Sequence, residues 1–213
     1  SNLLMIRDKT SGAIHDLTIT PVRFGVLGLG YYLATLFSTL IICLTATAVG
    51  FIYLGIVGWC LSVGDIFLLL LDVLLLTMFG TALSSCINFF LVTDGQASAV
   101  GTIVSAGYGF ICGAYMPVSN FGKGLQNVLS FLPGTYGTSL LRNHAMHGAF
   151  EKMRAEGFPD AVVEGIRDSV DCNPAFFGKV VPVGAMYAIL ACSILLLIGI
   201  YVAFNIIASR RRK

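Results

Sequence analysis

Four sets of residues in this 213-residue sequence have the types and spacing to do chemistry. His144, His147 and Glu151 recur at i, i+3 and i+7, so they share one helix face and offer three ligands for a metal. A short, partly exposed helix with no fourth ligand and nothing to orient the first three fits a solvated face better, and no metal is expected. Asp72 stands about two turns inside an apolar run that opens at Asp65 and goes on through Gly80, Ser84, Ser85 and Asn88. A carboxyl at that depth is costly; it is either a functional ion or proton site, or a group kept protonated or paired near the interface. Arg142 follows another apolar stretch, where it either snorkels to the interface or meets a phosphate of a headgroup or substrate. Of the six cysteines, five sit in or beside apolar runs as small hydrophobes, and only Cys172 lies among polar residues. Their spacing suggests neither a metal site nor a disulfide framework. No phosphate-cradling G-x-x-x-x-G-K-S/T loop, G-x-S-x-G elbow or H-E-x-x-H helix is present, so the chain is not expected to be an enzyme.

The elements that must position these groups are set by composition. Hydrophobic residues make up 56% of the chain and charged ones 11%, with a mean hydropathy of +0.86. A soluble domain would aggregate with such a surface, so the fold expected is all-α and polytopic, with membrane lipid around it. A net charge of +2, with basic residues at the two ends and in one late segment, excludes nucleic acid as a partner. The chain opens Ser1-Asn2, as a cleavage scar or internal start would, and Leu3 to Ile6 reads as the last turn of a helix that began earlier. The sequence is therefore expected to be the C-terminal portion of a longer protein. Its first apolar residues lack the basic flank, length and cleavage site of a secretory signal peptide, so none is expected among them.

Residues 5–22 are short, polar and punctuated by Gly12 and Pro21, as a bent connector at the membrane surface would be. Arg7, Lys9 and Arg23 place that connector in the cytoplasm, and the basic tail at 208–213 belongs there too. An even number of spans must separate them. Spans at about 25–53, 65–92, 98–117 and 181–207 satisfy that parity, the first three falling within residues 25–117. Trp59 and nearby glycines mark the outer end of the first, Asp94 is expected to cap the third, and small residues from Ala97 to Gly113 give the third a close-packing face.

The apolar character breaks at Pro117, and residues 118–180 carry most of the charge. By parity they lie outside. Ser119-Asn120 is expected to cap a short amphipathic helix that ends at Pro133-Gly134, Thr135 to cap the next, which fades by Gly157-Phe158-Pro159, and Asp160 to Asp171 to form a third. These helices are too short and polar to span.

The cytoplasmic R-D-x-x-S-G…D-L…P-V run (Arg7, Asp8, Ser11, Gly12, Asp16, Leu17, Pro21, Val22) is followed by three helices, G-x-x-x-P (Gly113, Pro117) and L-P-x-x-Y…L-R (Leu132, Pro133, Tyr136, Leu141, Arg142). This order resembles the membrane subunit of type-2 ABC exporters over most of residues 5–147 and the last helix. The resemblance implies a permease with six spanning helices in the full domain and an inner connector docked on a separate ATPase subunit. It also implies a helical hairpin dipping back from outside between the last two spans. On that reading Arg7, Asp8, Gly12, Asp16 and Leu17 form the coupling element, while Gly113, Pro117, Pro133, Tyr136 and Arg142 shape the outer gate. From the residues themselves, Asp72 and Asn88 are the intramembrane polar candidates. ATP and Mg would sit on the partner ATPase, a second permease copy or paralogue would complete the transporter, and an amphiphilic drug, lipid or peptide would be exported across the plasma membrane. Four spans instead of six fit a chain lacking the first two, and residues 151–179 are a longer insertion than a minimal member needs. Two other classes remain: an ion- or proton-coupled secondary transporter, supported by Asp72, and a membrane scaffold or sensor that binds a partner.

Overall fold

The computed structural model describes residues 24–210, so the connector with Arg7, Asp8, Gly12, Asp16 and Leu17, and residues 211–213 of the basic tail, lie outside the described residues. Helices dominate: α1 Phe24–Val57, α2 Val63–Asn88, α3 Asp94–Ile111, α4 Lys123–Leu129, α5 Pro133–Ala155, α6 Asp160–Ser169 and α7 Val183–Arg210. A 3-10 turn, Val118–Asn120, precedes α4, and two short strands, β1 Ala175–Phe176 and β2 Lys179–Val180, precede α7. Among the described residues α1, α2 and α7 are long and apolar enough to cross a membrane. With 34 residues, α1 would run about 50 Å, more than the roughly 30 Å of hydrocarbon needs. Its side chains Phe37, Ile41, Ile52 and Ile56 are exposed in the single chain, a face suited to lipid or to another helix. At 18 residues α3 is shorter and richer in small side chains.

Several helix ends differ from the sequence expectation, each for a local reason. Thr93, not Asp94, caps α3: its Oγ1 accepts the Gln96 N–H at 3.3 Å while Gln96 Oε1 accepts the Val92 N–H at 3.2 Å. α3 ends at Ile111, before Pro117, because Gly113 takes a φ of 78° and the Ala114 N–H returns to the Gly109 carbonyl at 2.9 Å. That is a glycine C-terminal cap, which closes a helix without proline. Ser119-Asn120 falls in the 3-10 turn, and α4 starts after Gly122 with no side-chain cap. Pro133 opens α5 at its first position, where a missing N–H costs nothing. Thr135 is therefore inside α5, and its hydroxyl donates to the Leu129 carbonyl at 3.1 Å, tying the helix to the end of α4. α6 ends at Ser169, two residues before Asp171. The strand pair, which the sequence reading did not anticipate, turns through Phe177 and Gly178, both at positive φ.

The contacts divide the chain into two units. One contains the described residues up to Ile42, Thr77–Ala106 and those from Cys192 onward. Its core joins α1, α2 and α7 through Tyr32, Ala82, Cys86 and Tyr201. The Cys86 thiol lies 3.4 Å from the Leu197 carbonyl and the Phe89 and Phe204 rings stack at 5.5 Å. Cys192, by contrast with the expectation of a buried hydrophobe, is exposed.

The other unit comprises Cys43–Leu76 and Gly107–Ala191. It is built around α5, which packs on α6 through Phe150, Val163 and Cys172. Cys172, set among polar residues in the sequence, is fully buried, and burial pushes its thiol pKa up. Glycines give α5 its close approaches. A side chain at Gly134 would meet the Tyr108 hydroxyl and the Cys112 thiol, one at Gly137 would meet Leu76, and one at Gly148 would meet the Cys60 backbone carbonyl. Backbone cannot yield as a side-chain tip can, so Gly148→Ala is expected to cost about 1–3 kcal/mol, seen as a lower melting temperature of the purified protein.

Candidate functional site

The two histidines that spacing puts on one face of α5 meet carboxyl groups on α2, which the reading of that face as solvated did not anticipate. Asp65 and Asp72 stand seven residues apart on α2, and His147 and His144 three apart on α5. The pairs match in opposite chain order. His144 Nδ1 lies 2.6 Å from Asp72 Oδ2, and His147 Nδ1 lies 3.0 Å from Asp65 Oδ1. His144 on this face is thus turned onto a membrane-type helix while His147 stays half exposed, and among the described residues no group of three or more His, Cys, Asp or Glu side chains is placed to hold a metal ion.

Asp72 is 1% exposed and takes a second partner, the Tyr187 hydroxyl of α7, at 2.6 Å from Oδ1. The His144 and Tyr187 rings lie nearly parallel, with centroids 6.2 Å apart. Three helices therefore meet on one carboxyl group. Asp72 is the tenth residue of a 26-residue helix, about 13 Å from its start, so the cluster lies well inside the apolar length. A buried carboxylate needs donors or a cation beside it, and here both oxygens are engaged. Asp65 is built differently: it closes the N-terminus of α2 with Ser62, whose N–H donates to Asp65 Oδ2 at 3.0 Å while Asp65 N–H donates to Ser62 Oγ at 3.2 Å. That reciprocal cap holds Asp65 facing His147, which is half exposed.

Arg142, on another face of α5, does not snorkel. Its guanidinium donates to the Gly113 carbonyl, to the Val170 carbonyl at 3.3 Å and to Asp171 Oδ2 at 3.4 Å. Asp171 in turn accepts the backbone N–H of Val118 and, at 2.9 Å, of Ser119. This clasp joins the end of α3, the turn after Pro117, α5 and the end of α6. Gly113, Pro117 and Arg142 are thereby brought together, with Asp171 as the partner the sequence reading missed. Tyr136 belongs to the adjoining layer, donating to the Ser130 carbonyl at 2.5 Å, and Pro133 sets the start of α5 just before it. A cavity of about 100 Å³ lies between these pieces, lined by Gln126, Tyr136, Ser139, Asp168, Asp171 and Asn173 among others. Asn88 stands apart in chain position, sixteen residues beyond Asp72 on α2, and donates to Ser84 at 3.3 Å within its own helix.

The arrangement is that of a membrane protein in which α5, entered through a proline break, is pinned to the apolar helices α2 and α7 at a buried carboxyl group. A family model described as ABC-2 family transporter protein matches residues 3–210. The chain belongs to the ABC-2 transporter family. No curated protein and no solved structure matches it. This ABC-2 member is a multi-pass membrane permease component and not an ATPase. Membership implies an ABC ATPase as its partner. Within the permease, the Asp72 cluster and the Arg142 clasp are two buried or half-buried places where polar and charged contacts hold α5 in position.

Proposed function

We propose that this ABC-2 permease is the membrane half of an ATP-driven exporter that moves an amphiphilic drug, lipid or peptide out of the cell. The observation that carries the reading is α5 itself, a 23-residue helix entered through a proline break and fastened to α2 and α7 by a carboxylate 1% exposed. Broken helices at membrane depth are tolerated where they are buried in protein or line a cavity, which is the placement an outer gate requires. In this reading residues 118–147 form the gate, both ends of the chain face the cytoplasm of a plasma-membrane protein, and the exposed face of α1 meets lipid, a second copy or a paralogue. ATP and Mg reside on the ATPase subunit. Arg7, Asp8, Gly12, Asp16 and Leu17 transmit its stroke, the charges supplying a polar docking surface and Gly12 the bend.

The test is reconstitution of the full-length protein with its ATPase. Charge reversal at Asp8 and Asp16 is expected to abolish both complex formation and substrate-stimulated ATP hydrolysis; unchanged values in both assays would remove the coupling assignment. A proton-coupled secondary transporter is the second reading, favoured by the contact of Asp72 with His144 and Tyr187. Uptake or efflux driven by a proton gradient without any ATPase, and lost in Asp72→Asn, would put that reading first.

A further inference from the structure

We propose that Asp72, His144 and Tyr187 form a proton-operated latch: one proton, held on His144 while α5 is docked, controls whether α5 stays against α2 and α7. The proposal rests on the gate reading above for its functional consequence, but not for its chemistry. Asp72 is 1% exposed and His144 8% exposed, so the net charge of the pair decides how well the site tolerates burial. With Asp72 ionised and His144 an imidazolium, the pair is neutral overall and the Nδ1 proton lies between the two groups at 2.6 Å. The Tyr187 hydroxyl satisfies the other carboxylate oxygen from α7. Loss of one proton from His144 to water leaves a neutral imidazole and an ionised Asp72. Three helices then enclose a net negative charge that apolar surroundings disfavour. That charge is relieved by letting water in, which α5 can do by moving away from α2. The sign follows: acid holds the latch closed and alkali loosens it.

The groups facing the cluster from each packed element are few. α2 contributes Asp72, α5 contributes His144 and α7 contributes Tyr187, a neutral donor. The nearest further ionisable pair on the same two helices is Asp65 with His147, and His147 is half exposed. Its side chain already meets water without α5 moving, so it serves as the internal control. Tyr187 is a positioning residue: it holds Oδ1 and leaves Oδ2 to His144.

The experiment is hydrogen–deuterium exchange of α5 in the full-length protein with its ATPase in lipid nanodiscs, corrected for the intrinsic pH dependence of exchange, over about pH 5.5–8.5, the range in which histidine titrates. The wild type is expected to lose protection in residues 137–150 tenfold or more as pH rises. Asp72→Asn and His144→Gln are each expected to flatten that dependence, His147→Gln to retain it, and Tyr187→Phe to retain it with a displaced midpoint. Wild-type protection that does not change with pH overturns the latch without recourse to any variant, as does a dependence that survives in His144→Gln or disappears in His147→Gln. A parallel series at fixed pH, with and without ATP, separates the two proposals. If α5 responds to turnover but not to pH, the latch falls and the gate stands; if it responds to neither, both fall.

Discussion

Replacing Asp72 by alanine is expected to lower the free energy of unfolding by about 3–5 kcal/mol, the range found when one partner of a buried ion pair is removed. The cost comes from what is left behind. His144 is 8% exposed and loses the acceptor for Nδ1, and the Tyr187 hydroxyl loses its acceptor on the neighbouring helix. Both groups would then be polar and unpaired within an apolar bundle, and α5 would lose the contact that fixes it against α2 and α7 together. Asp72→Asn keeps the shape and one acceptor oxygen, so its loss should be smaller. The triple substitution Asp72→Leu, His144→Leu, Tyr187→Phe removes every polar atom of the cluster and should recover much of the alanine loss. Thermal unfolding of the purified full-length protein in detergent reads all three. An alanine variant as stable as the wild type would show that the cluster does not hold the helices together. A triple variant no better than alanine would show that packing, not unpaired charge, sets the cost.

How much of this was legible in the sequence depends on the range of the contact. α1, α2 and α7 are visible because each is a long run of apolar residues, and a length of apolar chain is a local property. The Pro133 break is visible for the same reason. The face shared by His144 and His147 was also legible from spacing, but spacing on one helix says nothing about what the face meets. Their partners lie 72 and 82 residues away, and the matching i, i+7 carboxylates on α2 were the available signal. Tyr187 gave none, since an aromatic residue in an apolar run reads as lipid-facing or packed. The β1–β2 hairpin escaped because two-residue strands are too short to show an alternating pattern, and Phe177-Gly178 is a weak turn signature. Gly113, not Pro117, ends α3 because a glycine at positive φ closes the helix four residues earlier.

Asp171 is the residue most exposed to this limit, and its substitutions give the second large effect. Its φ of 58° is a left-handed conformation that asparagine and glycine accept more readily than alanine. Its carboxylate serves three donors: the Val118 N–H, the Ser119 N–H and the Arg142 guanidinium. Asp171→Ala loses all three and adds backbone strain, which together should cost about 3 kcal/mol. Asp171→Gly loses the bonds but not the conformation and should fall between. Asp171→Asn keeps the conformation and one acceptor oxygen and should be mildest, losing the charge that Arg142 faces. The order Asn, Gly, Ala in increasing damage separates the two causes: a bond-only account makes Gly and Ala equal, and a strain-only account makes Gly harmless. Because Asp171 ties the turn after Pro117 to the end of α6, the damage should be local. Hydrogen exchange should rise at residues 113–121 and 168–172 while α1 and the part of α2 beyond Thr77 stay protected. Uniform loss of protection along the chain would mean that the clasp supports the whole fold and not the hairpin that the gate reading requires it to close.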